Sequence, residues 1–213
     1  MTTAHASAEI LTAYADGSMS DGMSLLVASH LTFCPECRDR VARLEALGGA
    51  VLAEGEEVAP SVDCLAGAIA RIDAAGTLAA EAAAPVDPGS PLPSPLRDRM
   101  GCGLADIRWR FLLPGLAEHR LDGFGGDQVS LIRARPGVRI LQHTHVGDEA
   151  TLILAGRMRD GDRMFARGDV SLAGAADDHH PQIVGSETCL CLVVLSGPMR
   201  FTGPVGRALN YFT

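Results

Sequence analysis

The chain has 213 residues, with 47% hydrophobic and 21% charged, a composition of packed cores that excludes a disordered chain. No run of about 18 apolar residues exists to cross a membrane, and the start MTTAHASAEI lacks the basic and apolar stretches of a secretory signal, so a cytoplasmic location is expected. The net charge of −8 is uneven: residues 1–84 hold 12 acids against 4 arginines and residues 85–213 hold 14 of each, which excludes phosphate binding by the first part and suits a basic protein partner.

The pattern before the first proline cluster is helical. Ile10, Leu11 and Tyr14 recur at helical spacing, and Gly17 stops that helix. Ser18 or Ser20 can cap a second helix carrying Met23, Leu26, Val27 and His30. A third follows Cys34, with Val41, Leu44 and Leu47 on one face and Gly48-Gly49 expected at its end. GGAVLAEGEEVAP then reads as a flexible segment. A fourth helix begins after Pro60 and Ser61, and Val62, Leu65, Ile69 and Ile72 form its apolar stripe. That stripe needs a surface to cover it, and a partner is one source.

AAAPVDPGSPLPSP, residues 82–95, holds five prolines and reads as an extended linker. The expected domains are 1–84, helical, and 96–213, with residues 85–95 between them. After the linker, the short runs QVSLIRA, ATLILAG, DVSLAG and TCLCLVVLS are punctuated by Gly, Pro and Asp, as in an antiparallel sandwich or barrel. The expected class is therefore α + β in two domains, a small helical bundle joined by a Pro-rich linker to a β-barrel.

Six cysteines in a chain without a secretory signal point to metal binding, redox chemistry or burial rather than a disulfide scaffold. SHLTFCPECR contains His30-x3-Cys34-x2-Cys37. Cys-x2-Cys lets two sulfurs reach one tetrahedral zinc, and an imidazole is a preferred third ligand. Pro35 suits a first helical position, so Cys34 is expected to cap the third helix, where the positive helix end favours its thiolate. His5 is the only other histidine in the first 84 residues and is the favoured fourth ligand, with Cys64 or water as alternatives. Such a site is structural: a metal cross-link stabilises a small bundle with few aromatics.

The most specific stretch reads Gly137-x5-His143-x-His145-x3-Glu149-x6-Gly156. Residues two apart on a strand face one side, so His143 and His145 aim together, and a turn at Gly147-Asp148 returns Glu149 to them. Two imidazoles and a carboxylate suit iron, manganese, nickel or zinc. Gly168-Asp169 starts a later strand and is followed by His179, His180 and Pro181, so that a histidine there completes a set of three imidazoles and one carboxylate.

This spacing resembles the first motif of the cupin superfamily, a double-sheet β-barrel, and FARGDVSLAGAADDHHPQ resembles the second. The second departs from the usual form, since its histidine lies further from the glycine and the customary Asn is missing. The pair of modules resembles the ChrR-type zinc-binding anti-sigma factors over essentially the whole chain. That resemblance implies zinc on His5, His30, Cys34 and Cys37, and zinc or another divalent metal on His143, His145, Glu149 and His179. It implies that the helical domain wraps an extracytoplasmic-function (ECF)-type sigma factor. The cupin-like domain would then be needed for release under singlet oxygen or organic hydroperoxide. No enzymatic turnover, direct nucleic-acid contact or membrane contact is expected. The rival reading is a metal-dependent cupin dioxygenase or isomerase whose helical domain serves assembly.

Cys189 and Cys191 share one strand face with Cα atoms about 6.5–7 Å apart, at the far limit for a disulfide, and read as barrel-wall residues or as oxidisable thiols near a metal. Cys102 reads as a lone loop thiol. Arg133, Arg135 and Arg139 read as a solvated strand and turn, Met19 and Met23 as core, and Trp109 as a buried anchor for the barrel's first strand.

Overall fold

A computed structural model describes residues 2–75 and 89–203. Its helices are α1 (Ala8–Ala15), α2 (Asp21–Phe33), α3 (Pro35–Ala53), α4 (Cys64–Ala74) and α5 (Ser94–Met100). Ser7 caps α1 by accepting the Ile10 N–H at 3.3 Å, a contact of the kind that contributes about 1 kcal/mol. Cys34 adopts extended backbone between α2 and α3, accepts the Cys37 N–H at 3.4 Å and is followed by Pro35 in the first turn, as its spacing predicts.

Two expectations need correction. Gly48 and Gly49 do not end α3, which runs on to Ala53. Neither takes a positive φ, and the helix-favouring stretch Ala50 to Ala53 offsets a glycine cost of about 1 kcal/mol each. Half of the segment read as flexible is thus helical. At its far end the proline cluster read as linker already holds the start of α5, because Pro95 sits in a first helical turn where its missing N–H costs nothing. The first half of that cluster, residues 82–88, lies outside the described residues.

The strands are β1 (Arg110–Leu113), β2 (Leu116–Leu121), β3 (Gln128–Ala134), β4 (His143–His145), β5 (Glu149–Ala155), β6 (Arg157–Asp160), β7 (Arg163–Ala166), β8 (Val170–Ala173), β9 (Gln182–Ile183), β10 (Cys189–Leu195) and β11 (Met199–Phe201). They form a six-stranded antiparallel sheet in the order β1-β2-β3-β10-β5-β8, a three-stranded sheet β7-β6-β9 and a pair β11-β4. The four runs read as strands from their composition are β3, β5, β8 and β10. Trp109 precedes β1 and is only partly buried, because one ring face is left to the Arg133 guanidinium, 4.6 Å from its centroid.

β10, in the interior of the six-stranded sheet, is covered on both faces, which explains its near-continuous apolar run. Leu190, Leu192 and Val194 face outward, into a core completed by Leu25 and Leu26 of α2 and Leu96 of α5. Cys189 and Cys191 face inward with Ile153, Met158, Phe165 and Ile183. A third core holds Leu11, Val27, Cys34, Cys37 and Val41. Successive residues of α2, Leu26 and Val27, thus belong to different cores, so one helix serves both modules. Its approach to the sheet is close: a Cβ at Gly22 would meet Asp127 Oδ2 at 2.6 Å and Val129 Cγ2 at 2.8 Å. No buried residue lies on α4, and Val62, Leu65, Ile69 and Ile72 are all exposed.

Candidate metal centres

The first centre lies where the N-terminal segment meets the α2–α3 break. His5, His30, Cys34 and Cys37 bring one ligand atom each within 4.8 Å of one another. His5 Nδ1 stands 3.2 Å from Cys34 Sγ and 3.5 Å from Cys37 Sγ. A tetrahedral zinc, with about 2.3 Å to sulfur and 2.0–2.1 Å to nitrogen, sets sulfur and nitrogen about 3.5 Å apart, so the donors fit it. The far nitrogen, His5 Nε2, faces the Glu36 carboxylate at 3.5 Å. His30 donates from Nδ1 to the Gly168 carbonyl at 2.8 Å, which leaves its buried Nε2 without a protein partner and free to ligate.

Burial holds His30 below the ordinary imidazole range, in the neutral form a ligand needs, although the Gly168 carbonyl pulls the other way. Burial and the adjacent Cys34 push the Cys37 thiol up to about 12. A thiol raised so far, as Cys37 is, does not ionise by itself, whereas a divalent cation beside it makes a thiolate. Cys64, the alternative ligand, is exposed at the start of α4 and outside this cluster.

The second centre lies inside the barrel. β4 points His143 and His145 inward, the tight return to β5 brings in Glu149, and the bridge between residues 143 and 179 places His179. Their ligand atoms again lie within 4.8 Å of one another. Glu149 Oε2 is 2.9 Å from His145 Nε2 and 3.6 Å from His143 Nε2. His143 donates from Nδ1 to Leu141 O at 2.6 Å, and His179 from Nδ1 to Asp160 Oδ2 at 2.6 Å. Both bonds fix the tautomer that presents Nε2 to the cluster, and His179 Nε2 is buried without a protein partner. Burial raises the Glu149 carboxyl, but the two imidazoles outweigh it and hold it well below the usual carboxylate range. The site therefore offers three imidazole nitrogens and one ionised carboxylate oxygen, a donor set for a divalent metal. His180 is exposed and outside the cluster.

A cavity of about 380 Å³ opens beside this centre, with His143 and Glu149 in its wall. Ile132, Met158, Ile183, Cys191 and Val193 line it, so it suits an apolar molecule. Cys189 Sγ and Cys191 Sγ are 3.5 Å apart on the inner face. The neighbouring Cys189 and burial raise the Cys191 thiol, so it stays protonated. Glu118, also in the wall, is held by Arg110 at 2.5 Å, Ser130 at 2.9 Å and Arg120 at 3.3 Å.

Asp160, Glu36 and Glu118 carried no signal in the sequence reading. Each acts through a partner distant in the chain or on another turn, and a single carboxylate has no period.

Comparison with known proteins matches these modules one by one. A zinc-finger family covers residues 6–38, and the family described as "ChrR Cupin-like domain" covers residues 97–199. A helical zinc-finger module joined to a cupin-like barrel is thus the class that fold and sites define. The Anti-sigma-E factor ChrR of Cereibacter sphaeroides is 37% identical over 209 residues, 98% of this chain and 96% of that protein. A crystal structure of Rhodobacter sphaeroides SigE in complex with the anti-sigma ChrR superposes with a TM-score of 0.79 at 35% identity, covering 92% of this chain and 99% of that one. The chain belongs to the ChrR family of anti-sigma factors. An RmlC-like cupin protein from Ralstonia eutropha matches 51% of this chain and 81% of its own, with a TM-score of 0.43 at 17% identity, which carries no functional argument.

Proposed function

We propose that this chain is a cytoplasmic anti-sigma factor that binds an ECF-type sigma factor through residues 1–84 and blocks it stoichiometrically. The likeness to ChrR along nearly the whole of both chains carries this reading. The free apolar stripe of Leu65, Ile69 and Ile72 supports it, and so do Val51 and Leu52 at the exposed end of α3. A sigma factor presents basic DNA-reading surface, and the acidic first 84 residues complement it. No helix among the described residues is long and apolar enough to cross a membrane. Zinc on His5, His30, Cys34 and Cys37 would hold the chain start and the α2–α3 break in one arrangement, and residues 96–213 would form the sensing domain.

Release, in this reading, begins at His143, His145, Glu149 and His179 when singlet oxygen or an organic hydroperoxide arrives. The apolar cavity beside His143 and Glu149 gives an organic hydroperoxide a route to these ligands. Zinc or another divalent metal there would act as a Lewis acid toward a peroxide oxygen. Cys191, kept as a thiol, is a poor first nucleophile, which favours a start at the metal ligands.

His143→Ala with Glu149→Ala should leave sigma binding intact and abolish the oxidant response in a reporter strain. Loss of sigma binding in this variant sinks the division of labour. The same cavity and donor set also support a second reading, a metal-dependent dioxygenase or isomerase. Turnover of a small apolar substrate by the metal-loaded chain, with no sigma subunit captured, would establish it.

A further inference from the structure

We propose that the barrel corner Gly168–Asp169 positions both histidines of the helical metal centre, so that metal retention there depends on the barrel. The inference rests on the reading of His5, His30, Cys34 and Cys37 as a zinc site and adds an unassigned pair of positioning residues to it.

The corner joins β7 to β8. The Gly168 carbonyl accepts the His30 Nδ1–H at 2.8 Å, and His30 is fully buried. That bond sets the ring's tautomer and its rotation about Cβ–Cγ. The next residue, Asp169, is also buried. Its Oδ1 accepts from Thr3 N at 2.6 Å and Ala4 N at 3.0 Å, and its Oδ2 accepts from Thr3 Oγ1 at 3.2 Å and Ala166 N at 2.8 Å. Val170 N donates to Ala4 O at 3.0 Å. The segment that delivers His5 is therefore gripped by the barrel up to the residue before the ligand. This grip restricts the conformations open to the segment before α1 and so holds His5 in the cluster.

Gly168 is required by the geometry. Its φ is +91°, and a Cβ there would meet Phe33 Cβ at 2.8 Å and Thr2 Oγ1 at 3.1 Å. Any side chain would push the end of α2, and His30 with it, off the corner. The corner is itself anchored on β5: Gly168 N donates to Ile153 O at 2.8 Å and Ile153 N to Asp169 O at 3.1 Å. Glu149, a ligand of the barrel centre, begins the same strand and pairs with Ala173 at the other end of β8. Four residues of strand, about 13 Å at 3.3 Å per residue, separate the two anchorages. One β5–β8 ladder thus carries Glu149 at one end and the support of His5 and His30 at the other. Coupling along it is reciprocal: a ladder that helps hold metal in the helical centre is itself held by that metal.

The test uses the full-length chain with cobalt(II) in place of zinc. The thiolate-to-cobalt charge-transfer band reports only the centre that contains Cys34 and Cys37. Its decay is followed after adding excess chelator to the unaltered chain and to Asp169→Ala, Asp169→Asn, Gly168→Ala and Asp127→Ala. Removal of a partner that orients a ligand costs about 10- to 100-fold in metal affinity, so Asp169→Ala and Gly168→Ala should lose the band about 10-fold faster or more. Asp169→Asn should fall between them and the unaltered chain. Asp127 makes a different docking contact, with Ser20 Oγ at 2.5 Å, and touches neither histidine. Asp127→Ala should therefore decay at the unaltered rate. Unchanged decay in Asp169→Ala and Gly168→Ala overturns the proposal, and equal acceleration in Asp127→Ala reduces it to general docking and overturns it too. If Asp169→Ala fails to fold, Asp169→Asn and Gly168→Ala decide between the same outcomes. Absence of the band in the unaltered chain would instead refute the zinc-site reading.

Discussion

Leu26→Ala tests whether the helices and the barrel unfold together. Leu26 is 1% exposed and packs from α2 onto the outer face of the six-stranded sheet. Three carbons are removed, which at about 0.8 kcal/mol per buried CH₂ is about 2.4 kcal/mol of transfer free energy. A rigid sheet on one side and the α2 backbone on the other limit collapse into the space, so the cavity adds to this and the total should be about 3–4 kcal/mol. For a chain of this size about 1 kcal/mol moves the midpoint by roughly 2–4 °C, so a loss of about 6–16 °C is expected. The neighbour Val27, fully buried in the helical core, supplies the comparison. Because α2 belongs to both cores, Val27→Ala should move the same single transition, by about 1–2 kcal/mol. Calorimetry at saturating zinc reads both variants. Two separate transitions, with Leu26→Ala moving only one and Val27→Ala only the other, would refute the shared-helix argument.

Three further outcomes follow from particular contacts. Asp160→Asn removes the carboxylate that orients His179 and should weaken metal binding at the barrel centre about 10- to 100-fold in a competition titration. Burial raises the Glu118 carboxyl, but the Arg110, Ser130 and Arg120 contacts outweigh it, so its folded value lies below the unfolded one. Its stabilisation is therefore complete above the unfolded value near 4.5 and disappears as pH falls through the lower folded value; Glu118→Gln should cost about 1–3 kcal/mol at neutral pH and flatten this part of the acid limb of a urea-midpoint profile. Leu65→Asp with Ile69→Asp alters only exposed positions, so stability should stay within about 0.5 kcal/mol while capture of the sigma factor in a pull-down is lost; retained capture would remove α4 from the binding surface.

Most members of both clusters were legible because their spacing is local. His30, Cys34 and Cys37 sit at one helix break, and His143 and His145 are two apart on one strand, so spacing alone places them together. His5 and His179 were reached by elimination and by resemblance, and the fold brings each to its cluster. Gly48-Gly49 misled because a helix stop needs a left-handed residue or an unpaired end, and two glycines in a helix-favouring context supply neither. The proline cluster concealed α5, since proline that breaks a helix interior is tolerated in its first turn.

Local pattern therefore marks most of the helices and strands and the side chains suited to metal chemistry, since both depend on neighbours a few positions apart. The union of the modules is a different kind of fact. His30 meets Gly168 across 138 positions, and Thr3 meets Asp169 across 166. Contacts at that separation follow no period in the chain and are set by how α2 lies on the sheet. The apolar cavity has the same origin, for its lining alternates strand by strand with residues facing the opposite core. Only packing decides which face of each strand encloses the space beside the second metal centre, and only packing makes one barrel corner a support for the first.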